Sequence, residues 1–159
     1  MKRRAAVLVL LVAAGCRGEK KPAADPAAAH ALLDQYMGTV EQVAKGGSLE
    51  VLQPELAAQE KKATELKATG AVSDEFFRRY QRLLGVTRAA TIPDPGEAEK
   101  KTILDFLDSV EGKKDRVVEG GMAQIGPALV EEILSLHMLA DGTTDRAAAR
   151  QKYLGGAGG

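Results

Sequence analysis

An all-α fold, a compact bundle of four main helices with one or two short ones, is what this sequence predicts. Three observations carry the prediction. Apolar residues recur at three- and four-residue spacing in successive segments, glycine or proline bounds each segment, and no stretch alternates apolar with polar residues as a half-buried strand would. Aromatic residues make up only 4% of the 159 residues and tryptophan is absent, so the core must be mostly Leu, Val, Ile and Ala. Such a core suits close helix packing.

Asp25-Pro26 begins the first helix, because the aspartate can cap it and a proline at the first helical position sacrifices no needed N–H. Leu32, Leu33, Tyr36, Val40 and Val43 follow at helical spacing until Gly46-Gly47. Ser48 starts the second helix, whose stripe is Leu49, Leu52, Leu56, Ala63 and Leu66 and whose end is Gly70. Pro54 implies either a kink or a true start near Gln53. Ser73-Asp74-Glu75 opens the third, since a serine cap followed by acids favours the positive end of the helix dipole. Phe76, Phe77, Tyr80, Leu83 and Leu84 form its inward face, and Gly85 marks its expected end. Asp74 with Arg78 and Glu75 with Arg79 are four apart in the favourable order, and Arg82 extends that polar side. The alternation of aromatics and arginines from Phe76 to Arg82 fits an amphipathic core helix better than a membrane-surface or partner-binding one.

Two prolines then flank Asp94, which can cap the helix that follows. Ile103, Leu104, Phe106, Leu107 and Val110 form that helix's stripe before Gly112 and the charged Lys113-Lys114-Asp115-Arg116. After Gly120-Gly121 comes the most apolar segment, with Ile125, Leu129, Val130, Ile133, Leu134, Leu136 and Leu139, Pro127 near its first turn, and Asp141-Gly142 at its end. It is the expected centre of the bundle. Thr144 is expected to cap a short last helix through Tyr153.

Ahead of the bundle, Lys2, Arg3 and Arg4 precede an apolar run over residues 5–15 that reaches Cys16, the single cysteine of the chain. A helix over that run, at about 1.5 Å per residue, falls far short of the roughly 30 Å hydrocarbon core. It reads as a cleaved signal segment, in which small residues let the protease accept an extended chain. Ala13-Ala14-Gly15-Cys16 resembles the lipobox of bacterial lipoproteins, with Ala13 where leucine is commonest. The resemblance implies cleavage between Gly15 and Cys16 and lipidation of the Cys16 thiol. Two or three acyl chains, at about 0.8 kcal/mol per buried CH₂, would hold the mature chain on a bilayer. Arg17 stands where an aspartate would resemble an inner-membrane retention signal, so the expected place is the outer membrane, facing the periplasm. The organisation is then a signal peptide over 1–15, a lipidated N-terminus and flexible tether over 16–25, a helical domain over 26–154, and a glycine-rich tail over 155–159 expected to be disordered.

The precursor carries 22 basic and 22 acidic residues, and removing the signal takes three bases and no acid, leaving a mature charge of −3. A mildly acidic chain without a basic stripe has no electrostatic reason to bind nucleic acid.

Motifs for chemistry are missing. No Gly-x-Ser-x-Gly elbow is present, and Ser48 and Ser73 read as caps and Ser135 as a helix-interior residue. The acids are spread over helix faces. His30, beside small alanines, is expected in solvent, and His137, inside the most apolar helix, is expected as a partly buried core residue. No metal site is expected, because zinc needs three or four converging ligands and Glu131, Glu132 and His137 lack the spacing His-Glu-x-x-His. Asp141-Gly142-Thr143-Thr144-Asp145 lacks a calcium loop's alternating ligands and reads as a helix stop followed by a cap. The sequence thus points to a non-enzymatic, lipid-anchored interaction or assembly module of the envelope, needing no cofactor. Its membrane contact is through acyl chains, and Arg78, Arg79 and Arg82 are the candidate surface for a protein partner. The alternative is a bundle that binds a small ligand, metal or haem through His137, with Met37 on the first helix as the second ligand.

Overall fold

The computed structural model describes residues 24–112, 117–118 and 121–155. The signal segment, Gly15, Cys16, the tether as far as residue 23 and residues 156–159 of the tail lie outside these. Among the described residues six helices follow one another: α1 (Pro26–Ala44), α2 (Leu49–Ala68), α3 (Asp74–Thr91), α4 (Glu97–Glu111), α5 (Met122–Asp141) and α6 (Arg146–Leu154). The all-α bundle is as the sequence predicts, with five long helices where four were expected and one short helix. Among the described residues no helix is long and apolar enough to cross a membrane.

The caps show why the elements begin where they do. Asp25 accepts a hydrogen bond from the Ala27 N–H at 3.0 Å, and Ser73 accepts from the Phe76 N–H at 3.1 Å. Each satisfies an N–H that the first helical turn leaves without a partner. Gly142 closes α5 with φ +65°, a left-handed conformation that residues with a Cβ adopt only with strain. Asp145 then caps α6 by accepting from the Ala148 N–H at 3.0 Å.

Several boundaries differ from the expectation. α3 does not stop at Gly85 but runs to Thr91, because Val86, Thr87, Ala89 and Ala90 continue its buried face and outweigh one glycine's cost of about 1 kcal/mol. Gly96, not Asp94, occupies the cap of α4, and Asp145, not Thr144, caps α6. α2 begins at Leu49 with Pro54 inside it, which removes the later start near Gln53. Pro127 falls in the second turn of α5 rather than the first.

α5 packs against α1, α3, α4 and α6, while α3 packs against α2, α4 and α5. The two helices share the centre that the sequence assigned to α5 alone. Leu32, Leu33, Tyr36, Leu83, Leu84, Ile103, Phe106, Ile125 and Leu136 join one core cluster. Full burial of each aliphatic side chain contributes about 2 kcal/mol. α6 packs substantially on α5 alone, so polar contacts carry more of its attachment.

Candidate functional site

Two polar clusters stand out against this apolar interior, and both are built on α5. The first joins three helices at one end of the bundle. His137 on α5 faces His30 on α1 with Nδ1 to Nδ1 at 2.7 Å, and His30 Nε2 lies 2.7 Å from the Asp141 carboxylate. Tyr153 on α6 donates to Asp141 and lies 3.2 Å from His30 Nε2. Its ring stacks on His137 with centroids 4.1 Å apart and planes 5° apart. Lys152 pairs with Asp141 at 3.2 Å.

The carboxylate can only accept, so His30 Nε2 carries a proton and donates it to Asp141. One proton, and no more, then fits between the two Nδ1 atoms. Burial first, and then the neighbouring His30, lower the pKa of His137 to about 4. Asp141 is pulled down to about 2, first by the Tyr153 hydroxyl, which outweighs an opposing effect of burial, and then by His30 and Lys152. At neutral pH His137 is therefore a neutral ring and Asp141 an anion.

The sequence placed His30 in solvent; the structure half-buries it against His137. The physical reason is that a buried ring nitrogen needs a partner, and the surrounding leucines supply none. Met37 does not meet His137. His137 contacts His30, seven residues before Met37, or about 10 Å along the helix, and Met37 instead packs partly buried against the core. Among the described residues no group of three His, Cys, Asp or Glu is placed to hold a metal ion. Each nitrogen of His30 is already engaged, one by a ring and one by a carboxylate.

The second cluster lies between α3 and α5. Glu132 is only 3% exposed, and its carboxylate accepts from Arg79 Nε at 2.8 Å, Arg79 Nη2 at 2.9 Å and Arg82 Nη2 at 3.1 Å. Burial alone would raise this carboxyl's pKa, but the two guanidiniums outweigh it and the pKa is lowered. The Glu132 hydrogen bond raises the pKa of Arg79 in turn. Phe106 lies against the Arg82 guanidinium at 5.8 Å. Glu75, Arg78 and Ser109 complete a shallow cleft of about 490 Å³ over these groups.

Two of the three arginines expected to form a partner surface are thus partly spent on an internal carboxylate. Arg78 alone is exposed and without an ion pair among the described residues. The expected Glu75–Arg79 pair forms at 3.5 Å, whereas Asp74 turns to Lys67 at 3.7 Å instead of Arg78.

A third polar seam, between α1, α2 and α3, escaped the sequence reading. Gln59 is buried and donates to the Thr39 hydroxyl at 2.7 Å, while Tyr80 donates to Gln59 at 3.2 Å and to the Leu32 carbonyl at 3.1 Å. Tyr36 meets Thr87 at 2.6 Å, and burial raises both tyrosine pKa values. These bonds satisfy groups that the core would otherwise strand. Glu132 was open to detection, since it falls three after Leu129 and four before Leu136, on the inward stripe. Asp141 and Tyr153 carried no such signal.

No protein-family model, curated protein or solved structure matches this chain.

Proposed function

We propose that the chain is a lipid-anchored protein of the bacterial cell envelope whose helical domain serves as a non-enzymatic interaction or assembly module. One observation carries the anchoring: the only cysteine, Cys16, follows Ala13-Ala14-Gly15 at the end of a basic and then apolar N-terminus. That order of charge, apolar run, small residues and thiol is what signal recognition and lipidation require. The mature protein then sits on the outer membrane, facing the periplasm.

The interaction role is supported by the cleft between α3 and α5. Arg78 at its rim presents five N–H donors in a fixed fork, suited to an acidic group on a protein partner. Arg79 and Arg82 are held in place beneath it by Glu132.

Intact mass of the membrane-extracted protein, expressed with its own N-terminus, tests the anchoring. The expected product is the chain from Cys16 plus acyl groups, and Cys16→Ala loses both the cleavage and the added mass. An unacylated soluble product would overturn the reading.

A further inference from the structure

We propose that the His30–His137 contact is an acid-sensitive clasp: once both rings are protonated they part, His137 swings away, and the C-terminal turn of α6 is freed while its N-terminal half stays pinned. This goes beyond the anchoring and does not depend on it.

The geometry sets the limit on protons. His30 Nε2 must keep its hydrogen to bond Asp141, and the 2.7 Å between the Nδ1 atoms admits one hydrogen. If both rings became imidazolium, two N–H groups and two positive charges would face each other across that gap. The contact cannot survive that state.

His137 is the ring that has to leave. The charged and titratable groups around it are His30 and Asp34 from α1, Asp141 from α5 itself, and Lys152 and Tyr153 from α6. Asp141 holds His30 and remains ionised in mild acid, so it does not release its side of the clasp. A charged His137, buried and facing a charged His30, gains most by swinging toward water. Doing so removes the ring on which Tyr153 stacks at 4.1 Å.

The remainder of α6 is held differently. Arg146 and Arg150 both pair with Glu131, and Ala149 is buried against α5. The Arg146 hydrogen bond foremost, with that of Arg150, lowers the Glu131 pKa, so these pairs resist acid better than an unpaired carboxylate would. Release is therefore a local fraying that hinges beyond Arg150.

NMR of the mature chain tests this directly, taken from about pH 7 to about pH 4, the range over which a histidine of lowered pKa gains its proton. The expected result is that the backbone order of Tyr153 falls toward that of a chain end while Ala148 stays ordered. The loss should follow the imidazole ¹⁵N titration of His137 itself, and His137→Phe, which keeps an aromatic ring for Tyr153 but takes no proton, should remove it. Three results would each overturn the clasp: Tyr153 ordered throughout, Tyr153 and Ala148 lost together, or the same loss in His137→Phe. Should that variant fail to fold, the coincidence of the Tyr153 and His137 titrations in the unaltered chain still decides, because loss without coincidence rejects the proposal.

Discussion

α5 carries one charged junction that is permanent and one that depends on protons, and they lie five residues apart. At about 100° per residue, Glu132 and His137 point some 140° apart, so one faces α3 and the other faces α1 and α6. Glu132 meets guanidiniums, which stay charged at any pH the protein meets. His137 meets another imidazole, where a single proton decides between bond and repulsion. The same helix thus joins α3 through a carboxylate whose pKa two guanidiniums hold down, and closes the bundle's edge with a pair of rings that protons can part.

Glu132 is where the fold should be most sensitive to substitution. Glu132→Ala should cost about 3 kcal/mol, because it leaves Arg79 and Arg82 at a junction built around a carboxylate that is only 3% exposed. Chemical denaturation would read this as a lower midpoint. Glu132→Gln, which keeps the shape and two acceptor lone pairs but not the charge, should cost less. Equal costs would mean that charge, which both variants lose, and not packing holds α3 to α5.

Acid is the second lever, and its sign follows from the direction of the shift. His137 has its folded pKa lowered to about 4 from an ordinary value of 6.5, so its contribution to stability is intact above about 6.5 and drains away as pH falls toward 4. Asp141, lowered to about 2 from 3.8, loses its contribution only below that window. Between the two ordinary values His137 acts without Asp141. A loss of about 1–2 kcal/mol is expected there, since local release of α6 limits the damage. Thermal unfolding at stepped pH should show it in the unaltered chain and not in His137→Phe.

How much of this was legible differs between the regions for a physical reason. Helices, stripes and most ends are local, and so Leu32, Tyr36, Phe76 and Leu129 could be placed from spacing alone. Gly85 misled because propensity is local while the burial of Val86, Thr87 and Ala90 that overrides it is not. The clasp is the least local feature of all: 107 residues separate His30 from His137, and a further 16 separate His137 from Tyr153. Only the rule that a buried ring nitrogen finds a partner hinted at it, and the rule does not name the partner.

Between the two junctions lies a neutral control, the seam around Tyr80. Tyr80→Phe removes its hydrogen bonds to the Leu32 carbonyl and to Gln59 while leaving the ring in the core. A loss of about 1 kcal/mol is expected, and it should not vary with pH between 4 and 8 because the hydroxyl is neutral throughout that range. A pH-dependent loss would tie this seam to the histidine clasp.

Arg78 is the arginine whose loss should matter least to the fold. It lines the same cleft as Arg79 and Arg82 but is exposed and has no ion pair among the described residues, so removing it strands nothing. Arg78→Ala should change stability by less than about 0.5 kcal/mol, as expected of a surface position with no buried partner. If the cleft receives an acidic partner, the same substitution should weaken capture of a short glutamate-rich peptide, measured by titration calorimetry, and the gap between the two chains should widen as salt is lowered and screening falls. Stability and binding therefore separate at this residue, whereas at Glu132 they cannot, because the carboxylate that positions the arginines is also what holds α3 to α5.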